Sequence, residues 1–309
     1  MKRFLLLVLS FLVIITIVGF LLPSNKTYTI KINSPIPFDG ISRVIVNKGD
    51  WKRWWPGEVV NDSTIAYEDA KFNIKTILLN GFELTGSLDD RPINFSFQSI
   101  ATYNAETAIT MTATVSLSRN PFIKVFQNIV SGGAVKTLNE LFNNIGTALS
   151  DVKKVYGFDI KLGKVPNSSY VSTSKYFDHQ PGMEEVYALI KEVEDYVVAE
   201  NGKIVNDPIL NISKESENKY MAMVALATDR DLATKGKFLL KQMMLGNIVV
   251  SEVKGGPTAI QQCRQAVQFY VNDYRKVSPA ISFERLLTNR LTEKDSTKWL
   301  TTINYPVFQ

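Results

Sequence analysis

Two short segments near the C-terminus decide the fold of this chain: residues 283–289, Phe-Glu-Arg-Leu-Leu-Thr-Asn, and residues 299–307, Trp-Leu-Thr-Thr-Ile-Asn-Tyr-Pro-Val. Aromatic and branched side chains recur in both segments, which is typical of strands. Gly256-Pro257 opens a helix-like segment ahead of them, because proline is favoured in the first turn of a helix. The end of the chain is therefore predicted to contain a helix followed by two strands.

Further toward the N-terminus a similar order of elements indicates an internal repeat. The first half has predicted strands at 158–165 and 170–177, a helix at 183–201 and a strand at 209–213. The second half has predicted strands at 220–228 and 247–254, a helix at 257–274, and strands around 282–287 and 301–307. Each helix carries one apolar stripe, formed by Val186, Leu189, Ile190, Val193 and Val197 in the first and by Ile260, Cys263, Val267, Tyr270, Val271 and Tyr274 in the second. The repeat predicts a pseudo-symmetric α+β domain over residues 156–309.

This second unit resembles the effector-binding domains related to gyrase inhibitory protein, which are also attached to AraC-type and MerR-type regulators. Gly256-Pro257 is similar to the family's "GPY", 283–289 to its "E.Y...P" strand, and 299–307 to its closing "W.TEIYIPV" strand. The resemblance implies a cleft between the two halves that binds drug-like, often cationic or aromatic molecules beside a buried glutamate. Glu284 occupies the position that matches this glutamate.

The ligand-binding residues predicted in the second unit are Glu284, Phe283, Tyr176 and Trp299. A carboxylate among aromatic rings suits an organic cation, because it neutralises the charge while the rings stack on the cation. The alternative interpretation of Glu284 is a surface carboxylate on an edge strand, or a partner of Arg285.

Some relatives in this family are hydrolases that use a glutamate together with tyrosines. Here Thr258 and Leu286 stand where the two motif tyrosines would be. Both departures weaken the interpretation of the second unit as a hydrolase.

The first soluble unit, residues 27–155, is predicted to be rich in strands and to end in a long helix. A strand at 27–33 and a short helix at 38–45 lead into Asp50-Trp51-Lys52-Arg53-Trp54-Trp55-Pro56. Strand-like runs follow at 72–79, 93–97 and 108–117, and the closing helix has apolar residues at 135, 138, 142, 145, 149 and 152. This order resembles the START-like, polyketide-cyclase-type (SRPBCC) domains, whose "DP..W..W.P" element is similar to Asp50, Trp51, Trp54 and Pro56. The resemblance implies a helix-grip fold around an apolar cavity.

The three tryptophans of this unit have two interpretations. They can pack as core beneath the mouth of the sheet, since buried aromatic rings usually supply packing area. Alternatively, Trp54 or Trp55 lines a ligand cavity. Both residues are therefore predicted ligand contacts, and no pair of acid and base residues stands out that would predict catalysis here.

The N-terminal segment is predicted to be a membrane anchor. Residues 4–22 contain no charge, and at about 1.5 Å per residue they nearly match a hydrocarbon core of about 30 Å. No small-x-small cleavage pair follows, so an uncleaved signal anchor over 1–26 is favoured over a cleaved signal peptide. Lys2 and Arg3 should remain cytoplasmic by the positive-inside rule, which makes both soluble units extracytoplasmic on a single-pass protein of the cell (inner) membrane. This architecture is most simply bacterial.

The basic character of the chain, with a net charge of +5, is concentrated at the N-terminus. Residues 1–26 carry +3, whereas 27–155 and 156–309 carry +1 each. A nucleic-acid-binding domain should show a basic stripe on a folded unit, and none is found. We therefore expect no nucleic-acid partner.

The single histidine and single cysteine limit the possible chemistry. They exclude an internal disulfide, a multi-cysteine zinc site and any site with two histidines. His179 is expected to lie in a solvent-facing turn, and Cys263 to pack in the core. We predict no catalytic residues, no metal and no cofactor.

Together these features predict a membrane-anchored α+β protein with tandem modules that bind or sense a small apolar or cationic organic molecule without catalysis. One alternative is a hydrolase of small electrophilic compounds centred on Glu284. Another is a scaffold for a membrane complex. The sequence leaves the ligand and the oligomeric state open.

Overall fold

The structure, a computed structural model, describes residues 2–129, 132–278 and 280–308. The chain divides into two compact units, Met1–Val155 and Tyr156–Gln309. The predicted α+β class is confirmed, with an apolar N-terminal helix and curved antiparallel sheets.

The elements of the first unit are α1 (Lys2–Leu21), β1 (Asn25–Ser34), α2 (Phe38–Val46), α3 (Trp51–Trp54), β2 (Glu58–Asn61), β3 (Thr64–Tyr67), β4 (Ala70–Leu78), β5 (Gly81–Leu88), β6 (Arg91–Ala101), β7 (Thr107–Ser116), α4 (Pro121–Ile129), α5 (Gly132–Ala148) and α6 (Val152–Tyr156). The strands form one antiparallel sheet in the order β1-β7-β6-β5-β4-β3-β2. Strict alternation of buried and partly exposed residues along β7 gives this sheet one apolar face. The long helix α5 packs on that face, where Phe142 contacts Phe95 with ring centroids 5.6 Å apart.

The end of the first unit differs from the single long helix that the apolar spacing predicts. The spacing continues through Val152, but α5 ends at Ala148 and α6 begins at Val152. The carboxylate of Asp151 accepts hydrogen bonds from the backbone N–H groups of Lys153 and Lys154, at 2.8 and 3.2 Å. An aspartate that caps a new helix start therefore interrupts the stripe, as side-chain caps at helix N-termini do.

The elements of the second unit are β8 (Ile160–Lys164), β9 (Ser169–Phe177), α7 (Met183–Ala199), β10 (Ile209–Ser216), β11 (Lys219–Ala227), β12 (Leu239–Gln242), β13 (Asn247–Lys254), α8 (Pro257–Asp273), β14 (Phe283–Leu286) and β15 (Leu300–Val307). They build one eight-stranded antiparallel sheet in the order β12-β9-β11-β10-β14-β15-β13-β8. The helices α7 and α8 pack against it, α7 on β9 and β11, and α8 on β13 and β15.

The sheet order shows how the repeat is built. Strands β9, β11 and β10 with α7 form one half, and β13, β15 and β14 with α8 form the other in mirrored order. The strand predicted at 220–228 therefore closes the first half as β11 and does not open the second. The halves meet where β10 pairs with β14, through Leu210 opposite Glu284 and Ile209 opposite Arg285.

The two outer strands are exchanged between the halves. Strand β8 precedes the first half in the chain but pairs with β13 of the second half. Strand β12, which the sequence analysis did not predict, precedes the second half but pairs with β9 of the first. Each half thus supplies the edge strand of the other.

Candidate functional site

Glu284 lies at the seam between the two halves and is only 7% exposed. It is not a free surface carboxylate, because two guanidinium groups bind it. Arg264 of α8 donates to Oε1, and Arg290, which follows β14, donates to Oε2 at 3.1 Å. Arg285, the partner considered in the sequence analysis, is its chain neighbour and projects from the opposite face of the strand.

Arg290 connects Glu284 to Trp299. Its guanidinium lies over the indole ring, 4.9 Å from the ring centroid, and also donates to Thr301 Oγ1 at 2.8 Å. Its backbone N–H donates to the Tyr187 hydroxyl at 2.9 Å. The structure therefore brings together two of the predicted ligand-binding residues, Glu284 and Trp299, but places an arginine of the chain between them.

This cluster is cationic and incompletely satisfied. Two guanidinium groups share one carboxylate, which leaves a formal excess of one positive charge. The Nε atoms of Arg264 and Arg290 are buried and have no hydrogen-bond partner among the described residues. An added organic cation would have to displace an arginine to reach Glu284, since a buried charge must stay paired.

The pseudo-symmetry gives an internal comparison for this cluster. Helices α7 and α8 have 17 residues each, and Ile190 is the eighth residue of α7 as Arg264 is of α8. Leu210, opposite Glu284 at the seam, is the counterpart of Glu284. Ile190 and Leu210 lie in one buried apolar cluster, so the ionic pair stands where the first half has an ordinary hydrophobic contact.

An apolar cavity of about 450 Å³ lies on the opposite face of the sheet. Neighbouring strand residues point to opposite faces, so Phe283 faces this cavity while Glu284 faces the helices. Its apolar and aromatic lining includes Tyr170, Ile209, Met223, Ala225, Met243, Ile281 and Phe283. Among the described residues, no Asp or Glu lines it, and Lys241 is its one ionisable amine. The cavity falls within the size range of small-molecule sites.

The hydroxyl of Tyr170 is a buried polar group in this apolar region. Tyr170 is 2% exposed, and no hydrogen bond of ordinary geometry reaches its hydroxyl from the described residues. Burial raises the pKa of Tyr170, and the positive charge of Arg285 partly offsets that rise. The Nε atom of Arg285 is also buried, with no hydrogen-bond partner within the part of the chain that the structure describes. Unsatisfied donors of this kind are costly.

A second cavity, of about 590 Å³, is an open cleft between α7 and the segment after β14. Its walls carry Glu184, Lys191, Glu194 and Asp207 beside Tyr187 and Leu286. Glu284 is not among the residues that line either cavity. The cleft is more polar than the cavity on the other face and suits an apolar ligand less well.

Tyr176 lies away from both cavities. It is 56% exposed near the end of β9, where Lys219 Nζ stands 4.3 Å from its ring centroid. Six residues along a strand correspond to about 20 Å, which separates Tyr176 from Tyr170. The structure does not bring it to the other predicted ligand-binding residues of this unit.

Trp54 and Trp55 pack in the core of the first unit. They are 0% and 4% exposed, and their indole N–H groups donate to the carbonyl oxygens of Val44 at 3.2 Å and Ala66 at 2.9 Å. Trp54 also contacts Phe82, with ring centroids 5.9 Å apart. A groove of about 170 Å³ lies beside Trp51, and neither Trp54 nor Trp55 lines it. The geometry therefore agrees with the packing interpretation.

The remaining candidate residues occupy the positions that the sequence suggests. Cys263 is 0% exposed on α8, and burial raises the pKa of its thiol. His179 lies in an exposed turn between the carboxylates of Asp178 and Glu185, at 2.7 and 3.1 Å. Within 2–129, 132–278 and 280–308, no group of three or more His, Cys, Asp or Glu residues could hold a metal ion.

The N-terminal helix α1 is apolar and almost entirely exposed. Its segment Arg3–Leu21 is long and apolar enough to cross a membrane. A cleaved signal sequence would meet the same criteria of length and composition.

Sequence reasoning missed four residues that shape these sites: Arg264, Arg290, Tyr170 and Met243. Arg264 follows Cys263 directly on α8. The charged residue beside the apolar stripe is the only feature of the sequence that points to it. Tyr170 and Ser172 alternate along β9, but nothing in the sequence shows which face carries a cavity. Met243 is brought to the cavity by the segment after β12, which was not predicted.

No protein-family model and no curated protein matches this sequence. Among solved structures, the C-terminal domain of EcmrR is similar over 49% of this chain and 98% of its own, with a TM-score of 0.42 and 16% identity. SAV2435 bound to tetraphenylphosphonium is similar over 48% of this chain and 93% of its own, with a TM-score of 0.32 and 20% identity. A hydrolase from Listeria innocua is similar over 48% and 91%, with a TM-score of 0.37 and 11% identity.

Each of these neighbours matches about half of this chain. They do not show the START-like resemblance of the first unit. Identities of 11% to 20% and TM-scores of 0.32 to 0.42 do not transfer a ligand or an activity to this chain.

Proposed function

We propose that this chain is a membrane-anchored protein whose second unit binds a small, mainly apolar molecule without transforming it. The observation that carries the proposal is the cavity of about 450 Å³, which is apolar in its lining and has Tyr170 in its wall. Apolar pockets with a few convergent polar groups are the usual form of small-molecule sites.

The chemistry of the cavity favours a neutral or anionic ligand over an organic cation. Its lining has a lysine and no carboxylate, and Glu284 lies on the other face between two arginines. A ligand with an apolar body would fill the cavity beside Tyr170 and Phe283. This keeps the apolar ligand of the sequence-based expectation and departs from the cationic one.

Anchoring through α1 is part of the same proposal. A helix of 20 residues spans about 30 Å, the thickness of a bilayer core. Its surface is apolar and almost uncovered by the rest of the chain, which packs on it at Gly19. With Arg3 on the cytoplasmic side, the segments 27–155 and 156–309 would be extracytoplasmic domains of a single-pass protein.

The first unit is proposed to be a START-like (SRPBCC) module. The support is the long helix α5 against one face of a curved antiparallel sheet, together with the Asp50-Trp51 to Pro56 element. Because Trp54 and Trp55 are packed, selective binding is assigned to the second unit.

The hydrolase alternative gains no support from the geometry around Glu284. Both carboxylate oxygens are engaged by guanidinium donors, and a general base needs an oxygen within reach of the proton that it removes.

Ligand titration of the full chain in lipid nanodiscs tests this proposal. A neutral probe, N-phenyl-1-naphthylamine, and a lipophilic cation, tetraphenylphosphonium, would be titrated separately. Ala225→Phe fills the apolar cavity and should abolish binding of the neutral probe. The matched control, Ala188→Phe, enlarges an exposed residue of the 590 Å³ cleft and should leave binding unchanged.

Binding that survives Ala225→Phe but is lost in Ala188→Phe would move the site to the cleft beside α7. Binding of the cation alone would contradict the proposed ligand class. The absence of any bound species, with native mass spectrometry as a second readout, would overturn the proposed function.

A further inference from the structure

Helix α4 exposes its apolar side chains and buries its polar ones. Phe122, Ile123, Phe126 and Ile129 are 43%, 47%, 64% and 78% exposed, whereas Lys124 is only 6% exposed. A helix that covers a core in water shows the opposite pattern, with its apolar stripe inward. The exposed face of α4 is therefore suited to an apolar environment.

Hydrogen bonds hold α4 in this orientation. Lys124 Nζ donates to the carbonyl oxygen of Leu22 at 3.4 Å, and Lys26 Nζ donates to that of Asn128 at 3.1 Å. Gln127 Oε1 accepts from the backbone N–H of Ser118 at 2.8 Å. Because the polar groups of α4 are used against the start of β1 and the end of α1, the apolar face cannot turn inward without breaking them.

The position of α4 relates this face to α1. The two helices pack closely at Gly19, where an added Cβ atom would lie 2.5 Å from the Cβ and the carbonyl oxygen of Pro121. Gly19 is in the last turn of α1, which ends at Leu21. The apolar face of α4 thus adjoins the apolar surface of α1 at the end from which the folded unit continues.

We propose that α4 is an interfacial helix that lies at the headgroup–acyl boundary of the bilayer, with Phe122, Ile123, Phe126 and Ile129 in contact with lipid. This inference rests on the proposed anchoring through α1. Amphipathic helices bind membranes in this way, with the apolar face in the boundary and the polar face toward water or protein. Here the polar face of α4 is turned toward the protein.

The opposite end of the first unit supplies a matched control. Strand β1 pairs with β7 from Asn25 opposite Ser116 to Ser34 opposite Thr107. Ten strand residues span about 33 Å, so the turn between β6 and β7 lies far from α1. Tyr103 in that turn is a fully exposed aromatic residue of the same unit, yet it should not reach the lipid.

Site-specific fluorescence quenching tests the proposal in the full chain. Leu12→Cys, Phe126→Cys and Tyr103→Cys would each be labelled with an NBD fluorophore and reconstituted into phosphatidylcholine vesicles. The native Cys263 is fully buried and should not compete for the label in the folded chain. Nitroxide groups would be placed either near the lipid headgroups or deep in the acyl chains.

The label at Leu12 should be quenched by the deep nitroxide, which reports the anchor itself. The label at Phe126 should shift its emission to the blue and be quenched by the shallow nitroxide, and the label at Tyr103 should respond to neither. Quenching at Leu12 without quenching at Phe126 would overturn the interfacial helix and leave the anchor standing. A blue-shifted but unquenched Phe126 label would indicate cover by protein, such as a second copy, and would also overturn it. A Leu12 label that no nitroxide quenches would overturn the anchoring and this inference together.

Discussion

The carboxylate of Glu284 is buried at the seam of the second unit, where two arginines bind it. The sequence predicts a buried glutamate beside an aromatic ring, and Trp299 is indeed linked to it. The two arginines that bind the carboxylate come from a helix 20 residues earlier and a loop 6 residues later. Their convergence depends on tertiary structure, so no local pattern of the sequence could predict it.

The ionic cluster should be important for stability. Glu284→Gln would leave the buried guanidinium of Arg290 and the partly exposed one of Arg264 without their anion, and breaking a buried pair in this way costs about 3–5 kcal/mol. The readout is urea unfolding followed by labelling of Cys263, the single cysteine of the chain. The exposed Glu252→Gln is the matched control, and its effect should stay within about 0.5 kcal/mol. A loss below about 1 kcal/mol for Glu284→Gln would mean that the pairing is weak.

His179 should titrate above the ordinary histidine value of about 6.5. Its hydrogen bond with Asp178 raises its pKa most, followed by that with Glu185, and the pKa values of both carboxylates are lowered. The stabilisation from the charged imidazole is complete below the unfolded pKa and disappears as pH rises through the raised folded pKa. At the acidic end it is lost as pH falls through the lowered carboxylate pKa values.

Because the chain has a single histidine, its NMR titration is unambiguous. Glu185→Gln should move the midpoint downward, since one of the two anionic partners is removed. Lys191→Gln, at an exposed position of α7, should move it little. A midpoint at or below the ordinary value would contradict the geometry of the turn.

At the scale of elements, the helix α3 and its tryptophans belong to the core. Truncating a fully buried tryptophan costs about 3–5 kcal/mol, and Trp54 also has a hydrogen bond to Val44. Trp54→Ala should therefore destabilise the first unit by that amount, and Trp54→Phe by less. Unfolding can be followed by the fluorescence of Trp51 and Trp55, with the fully exposed Tyr103→Ala as the neutral control. A change in the free energy of unfolding near zero for Trp54→Ala would favour the interpretation of Trp54 as a wall of a ligand cavity.

Elements with strong periodicity could be predicted, and those whose formation depends on distant partners could not. The helix predicted at 257–274 is observed as Pro257–Asp273, and the strand at 247–254 has the predicted bounds. Strand β12 is short and exposed, and it forms by pairing with β9. Helix α4 escaped prediction for a related reason, since its apolar face does not point to the core.

At the scale of the whole molecule, strand exchange couples the two halves of the second unit. Ile190→Ala in the first half removes a buried side chain and should cost about 2–5 kcal/mol. If the halves open together, the labelling rate of Cys263 in the second half should rise by at least about tenfold, because 1.4 kcal/mol corresponds to a factor of ten. Rates would be measured with a thiol reagent under native conditions, with Ala188→Ser as an exposed control on the same helix. An unchanged Cys263 rate in Ile190→Ala would show that the halves open independently.

The exchanged strands also constrain the order in which a newly made chain can fold. Lys164 of β8 contacts Asn247 of β13, 83 residues later, and β15 enters the interior of the sheet later still, between β14 and β13. During synthesis, β8 therefore leaves the ribosome before its partner β13 has been made. Strand β9 likewise leaves the ribosome before its edge partner β12. Until residues 300–307 have left the ribosome, the sheet has a gap between β14 and β13. Biogenesis of the second unit should thus depend on factors that shield open strand edges.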